Sequence, residues 1–141
     1  MKKGNVMLSV ALGALLMTSC AKEKQQQVEL PDLAKLFVSQ NFNGQEVLSV
    51  SNDSAAVYDV TLADKTQIEF NTDGMWQKIK PEDADSVPSK VLPMLAVSYL
   101  EDIYPGKKIK MAERNIPTGL MRVTLDGGLQ IVFTSEGQVA Q

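Results

Sequence analysis

The sequence predicts an α+β fold: a duplicated unit of one helix followed by antiparallel strands, joined into one antiparallel sheet of about six to eight strands with two helices on one face. Three observations predict it. One apolar pattern occurs twice along the chain, each copy opens with a proline-started stretch of helical spacing, and each continues into segments that alternate with period two.

The two copies superpose with an offset of 62 residues through their first parts, placing Leu30-Pro31 on Leu92-Pro93, Leu33-Ala34 on Leu95-Ala96, and Phe37, Phe42 and Gly44 on Tyr99, Tyr104 and Gly106. After one extra residue in the second copy the offset becomes 63, with Tyr58, Val60 and Leu62 on Met121, Val123 and Leu125, and Ile68, Phe70 and Gly74 on Ile131, Phe133 and Gly137. Chance similarity of two apolar patterns would seldom keep register through both prolines and both turn glycines. The chain therefore divides into an N-terminal segment at 1–19, a tether at 20–28 and a domain at 29–141, whose repeats cover 29–80 and 87–139.

In the first repeat, Leu33, Leu36, Phe37 and Phe42 form the apolar stripe of a helix, with Pro31 in the first turn, where its missing N–H is tolerated, and Gly44 just past the end. The second helix spans about 93–104. Val87-Pro88 offers an earlier start, in which case Pro93 would kink the helix.

The strands carry one apolar side. Tyr58, Val60 and Leu62 face in while Asp59 and Thr61 face out; Ile68 and Phe70 face in while Gln67 and Glu69 face out. Asn71-Thr72-Asp73-Gly74 closes this hairpin as a tight turn. In the second repeat Met121, Val123 and Leu125, then Leu129, Ile131 and Phe133, face in around the turn Asp126-Gly127-Gly128. Residues 47–50 and 109–112 supply one further strand per repeat.

The N-terminus has a different grammar. Lys2 and Lys3 precede an apolar run from Val6 to Met17 broken only by Ser9 and Gly13, which reads as a signal peptide over 1–19. The run is shorter than the roughly 20 apolar residues a spanning helix needs. Leu16-Met17-Thr18-Ser19-Cys20 resembles the bacterial lipobox, in which small residues precede a cysteine that receives two acyl chains. Cys20 is the single cysteine of the chain, so no intramolecular disulfide competes for it. Residues 21–28, rich in Lys, Glu and Gln, form a solvated tether. Lys22-Glu23 resembles the acidic surface-export signal of some Bacteroidetes lipoproteins, which leaves periplasmic and surface-exposed placement both open.

Charge and composition narrow the function. Without Lys2 and Lys3, 12 basic residues face 17 acidic ones, a formal charge of −5 that gives nucleic acid no footing. The chain has no histidine, which removes the commonest general base and metal ligand. No Gly-x-Ser-x-Gly elbow is present. The acidic stretch at 81–86 lacks the ligand order and glycine of an EF-hand and reads as a solvated linker between repeats. Asp59 and Glu69 on neighbouring strands have no apolar run that would raise one pKa for acid–base work. Trp76 reads as a core or edge-packing residue, and strand and helix spacing puts most of Met94, Met111 and Met121 in the core. No cofactor is implied.

The duplicated pattern, the Leu-Pro helix starts, the strand Tyr58-Asp59-Val60-Thr61-Leu62 and the closing Asn71-Thr72-Asp73-Gly74-Met75-Trp76 turn resemble the PepSY-like lipoproteins of Bacteroidetes over about residues 29 to 139. Related folds include the protein inhibitor of β-lactamases, whose two repeats present a concave sheet to the enzyme. The resemblance implies a non-enzymatic role, binding or inhibition of an envelope protein, and no inhibitory motif carries over residue by residue.

The candidate binding surface is the polar sheet face: Asp59, Thr61, Gln67, Glu69, Arg122, Thr124 and Gln130, with Val132, are expected to form one contiguous patch uncovered by helix. Its opposite charges are expected to be split between the repeats, Asp59 and Glu69 against Arg122. The alternative is a carrier holding a small apolar ligand between sheet and helices, which requires a cavity that dense apolar patterning disfavours. On the lipid anchor, the expectation is specific: Cys20→Ala should abolish metabolic palmitate labelling, and undiminished labelling of that variant would rule out Cys20 as the acylated residue.

Overall fold

The computed structural model describes residues 28–54 and 57–140, so the expected signal peptide and the lipidated Cys20 lie outside the described residues. Seven strands form one sheet in chain order, each antiparallel to its neighbours: β1 (Val47–Ser54), β2 (Val57–Leu62), β3 (Gln67–Phe70), β4 (Trp76–Lys80), β5 (Ile109–Arg114), β6 (Met121–Leu125) and β7 (Gln130–Phe133). Helix α1 (Asp32–Asn41) precedes β1, and α2 (Met94–Ile103) lies between β4 and β5. Pro31 and Pro93 stand at the N-caps of the two helices. The earlier start at Pro88 is used only for a separate 3-10 turn, Ser89–Val91, so Pro93 begins α2 and kinks nothing.

The duplication extends to the packing. Phe37 meets Phe70 edge-on at 5.8 Å and 81°, and Tyr99 meets Phe133 at 5.8 Å and 79°, so each helix drives one aromatic into the inward phenylalanine of its own repeat. Beneath each helix start lies a glycine of the closing turn. A Cβ on Gly74 would stand 2.9 Å from the Ala34 backbone nitrogen, and one on Gly137 would stand 2.7 Å from that of Ala96. Both glycines also hold positive φ, +89° and +95°. Only glycine in the turn lets helix and turn backbones come this close.

This contact corrects the expected stripe of α1. Ala34 must lie against Gly74, so the buried face runs through Ala34 and Val38, with Phe37 half-buried, and Phe42 is buried just past the helix end. Leu33 and Leu36, expected in the stripe, are 57% and 51% exposed. Met94 is likewise exposed, Met111 half-buried and Met121 buried, so the methionines do not share the core. Leu129, expected inward, is 41% exposed because it precedes the edge strand β7, which has a neighbour on one side only. Its equivalent Thr66 precedes β3, flanked by β2 and β4, and is buried.

Strand β4 was not expected. Its inward residues Trp76 and Ile79 are three apart, because a bulge at Gln77 separates the pairs Phe70↔Trp76 and Glu69↔Lys78. A bulge inserts one residue and erases period-two alternation. Trp76 itself is buried, stacked on Phe37 at 6.2 Å.

The strand faces yield a stability prediction. Phe70 and Phe133 are fully buried, so Phe→Ala at either should lower unfolding free energy by about 3–5 kcal/mol, against under about 0.5 for exposed Gln67→Ala. Equal shifts in denaturant midpoint for Gln67→Ala and Phe70→Ala would show the faces to be reversed.

Candidate functional site

The face opposite the helices is bare, and the strand register orders it. Ser51, Asp59, Glu69, Lys78, Glu113, Arg122 and Val132 are successive cross-strand partners, one per strand, forming a row across the whole sheet. A neighbouring row on the first repeat runs through Ser49, Thr61, Gln67 and Lys80. On the second repeat its counterpart pairs Thr124 with Gln130 and with Met111. All eight expected residues lie on this face, but not side by side. At roughly 4.8 Å per strand step, Asp59 and Arg122 stand about 19 Å apart. Between them are Lys78, Lys80 and Glu113, none of which alternation alone assigns to this face. The bulge hid the two lysines, and the strand expected at 109–112 stopped one residue short of Glu113.

Those omitted residues change the charge pattern. Charges are interleaved along the row: Asp59, Glu69, Lys78, Glu113, Arg122. Lys78 stands directly opposite Glu69 on one side and Glu113 on the other. Arg122 donates to Glu113 at 3.4 Å within the second repeat. The expected split of acid against base between repeats is therefore corrected, because the first repeat contributes its own lysines. Thr124 lies on the face with its hydroxyl buried and without a hydrogen-bond partner among the described residues.

The face is hollowed in two places. One hollow of about 230 Å³ lies over the first repeat, among Asp59, Gln67, Glu69, Lys78 and Lys80. The other, about 510 Å³, lies over the seam and second repeat, among Glu69, Lys78, Glu113, Arg122 and Val132. Both hollows are multiply charged, and they adjoin at Glu69 and Lys78. Among the described residues no group of three or more Asp, Glu, His or Cys is placed to hold a metal ion, including the acidic stretch at 81–86. There Asp83 and Asp85 pair with Lys65 and Lys108, and the Lys108 ammonium holds the Asp85 carboxyl below its ordinary value.

The sequence pattern of beta-lactamase-inhibitor-like, PepSY-like proteins matches residues 56–141. The chain belongs to this family. Its fold is shared with a solved periplasmic protein of unknown function from Bacteroides vulgatus, 31% identical, with a TM-score of 0.69 over 80% of this chain and 90% of the other. A second structure from Bacteroides vulgatus, named as a periplasmic protein of the DUF2874 family, is 24% identical with a TM-score of 0.69 over 86% of this chain and 98% of the other, which shows the fold. No match is found among curated proteins. The family resemblance expected from the repeats and turns thus holds, and so does the α+β sheet-and-two-helix architecture.

Proposed function

We propose that this chain is an exported, lipid-anchored envelope protein that binds another envelope protein through the polar face of its sheet, inhibition being the form of binding its family name suggests. One observation carries the reading: the uncovered row of interleaved charges from Asp59 to Arg122, set in two adjoining hollows. Solvated faces need charge but not concavity; a surface that is both hollow and of mixed sign complements a partner of matched relief and charge. The similar Bacteroides vulgatus protein is named as periplasmic, which supports export, and Cys20 in its lipobox-like setting supports anchoring in the outer membrane on its periplasmic or external side.

The test uses the chain carrying Cys20→Ala as bait in envelope extracts, followed by kinetics with the purified captured protein. Arg122→Glu puts a second carboxylate beside Glu113 and inverts one end of the row. Association should slow on the order of tenfold at low salt. Loss of so exposed an ion pair should cost under about 1 kcal/mol of stability, leaving the melting temperature nearly unchanged. Association as fast as wild type at low salt would move the contact off this face, to the loop at 115–119.

A further inference from the structure

The helix side of the sheet has a concave feature of its own. Two hollows meet at the seam between the repeats, one of about 240 Å³ beside Leu33 and Leu36 of α1, the other of about 430 Å³ between Pro93, Ile116 and Met121. Met75 and Arg114 line both. The larger lies in the range of small-molecule sites, about 300–1,000 Å³. Its approach is apolar at the surface: Leu33, Leu36 and Met75 are exposed side by side along the smaller hollow, a grouping that marks a contact surface more often than a solvated one. One wall is fixed in advance, because Asn115 Oδ1 accepts from the Thr118 backbone N–H at 3.0 Å and from its hydroxyl at 2.9 Å, holding the turn that presents Ile116.

Arg114 is the single ionisable side chain among the described residues lining these hollows. Its Nε–H donates to the Trp76 carbonyl at 3.1 Å, and its guanidinium lies 4.5 Å from the centre of the Trp76 ring. Among the described residues no carboxylate is within ion-pair distance of it; its neighbour Glu113 is on the opposite face, paired with Arg122. Desolvation draws its pKa below the ordinary arginine value, the direction expected of a half-buried cation without a counter-ion. Guanidinium N–H groups in such a setting suit a carboxylate, which accepts two of them in parallel. An uncharged apolar ligand would bury the cation further without compensating it.

We propose that this seam groove binds an amphipathic carboxylate of the fatty-acid class, its carboxylate on Arg114 and its chain laid along Met75 and Leu33 or against Ile116. The groove borders the second hollow of the polar face at Arg114 and Met121, but fatty-acid binding is read without any partner protein, so either reading can fail without the other.

Trp76 is the only tryptophan of the chain and lies under Arg114, so its fluorescence reports directly on the site. The full chain carrying Cys20→Ala is titrated with dodecanoate below its micelle concentration, with dodecanol and acetate in parallel. The expected result is a saturable change with dodecanoate, little with acetate, and a dodecanoate affinity at least about tenfold weaker in Arg114→Gln, the scale of one charge-assisted hydrogen bond. Dodecanol, which leaves the cation uncompensated, should bind wild type more weakly than dodecanoate does and lose no affinity in Arg114→Gln. Should Arg114→Gln fail to fold, Met75→Glu, at a position already 39% exposed, puts a repelling carboxylate in the groove and should abolish dodecanoate binding with the circular dichroism unchanged. The proposal is overturned if dodecanoate gives no saturable change, if folded Arg114→Gln or Met75→Glu binds it like wild type, or if acetate reproduces the signal.

Discussion

Each repeat depends on one close approach, a turn glycine beneath the first turn of its helix. Gly74 under Ala34 and Gly137 under Ala96 leave no room for a Cβ, and the prolines ahead of both helices close the same contact from the other side, at 3.1 and 2.9 Å. With the helix start fixed to the end of a hairpin, the rotation of the helix is fixed as well. Ala34 and Val38, and Ala96 and Leu100, then face the sheet. Phe37 and Tyr99 come down on Phe70 and Phe133. These aromatics join the core of each unit, and the glycine contact decides which helix side chains share in it.

The same constraint sorts the rest of the surface. Rotating α1 onto Ala34 turns Leu33 and Leu36 toward the seam, where no helix covers the sheet and Arg114 lies over Trp76 instead. That contact ties the repeats together, since Arg114 belongs to the second and Trp76 to the first. Both helices fall on one side, and the other side keeps its cross-strand row of charges open. The two faces therefore differ in charge: one carries a row of mixed sign, the other a groove lined by apolar groups around a single cation.

Most of the architecture was legible in the sequence because the duplication doubled every weak signal. Two prolines, two turn glycines and two inward phenylalanines, at offsets of 62 and then 63 residues, identify helix starts, turns and sheet face together. Three features were not legible, each for a physical reason. Leu33 and Leu36 are as apolar as core residues, and only the three-dimensional contact at Gly74 shows that alanine, not leucine, faces the sheet. The bulge at Gln77 put Trp76 and Ile79 three apart and concealed β4, and with it Lys78 and Lys80 at the middle of the candidate site. The exposure of Leu129 follows from its edge position, which periodicity does not encode. All eight expected face residues were placed correctly by alternation, whereas their charge arrangement depended on the residues the bulge concealed.

The claim that the glycine contacts govern the fold is tested most directly by chemical denaturation of four single variants. Gly74→Ala, Gly137→Ala, Gly44→Ala and Gly106→Ala all place alanine at positive φ, but only the first two meet backbone atoms, the others having open space around the new Cβ. The conformational penalty common to all four is about 1–2 kcal/mol, and the clash should add roughly 1–3 kcal/mol at Gly74 and Gly137 alone. A clear excess loss at those two positions is the predicted result, and equal losses at all four would contradict the account.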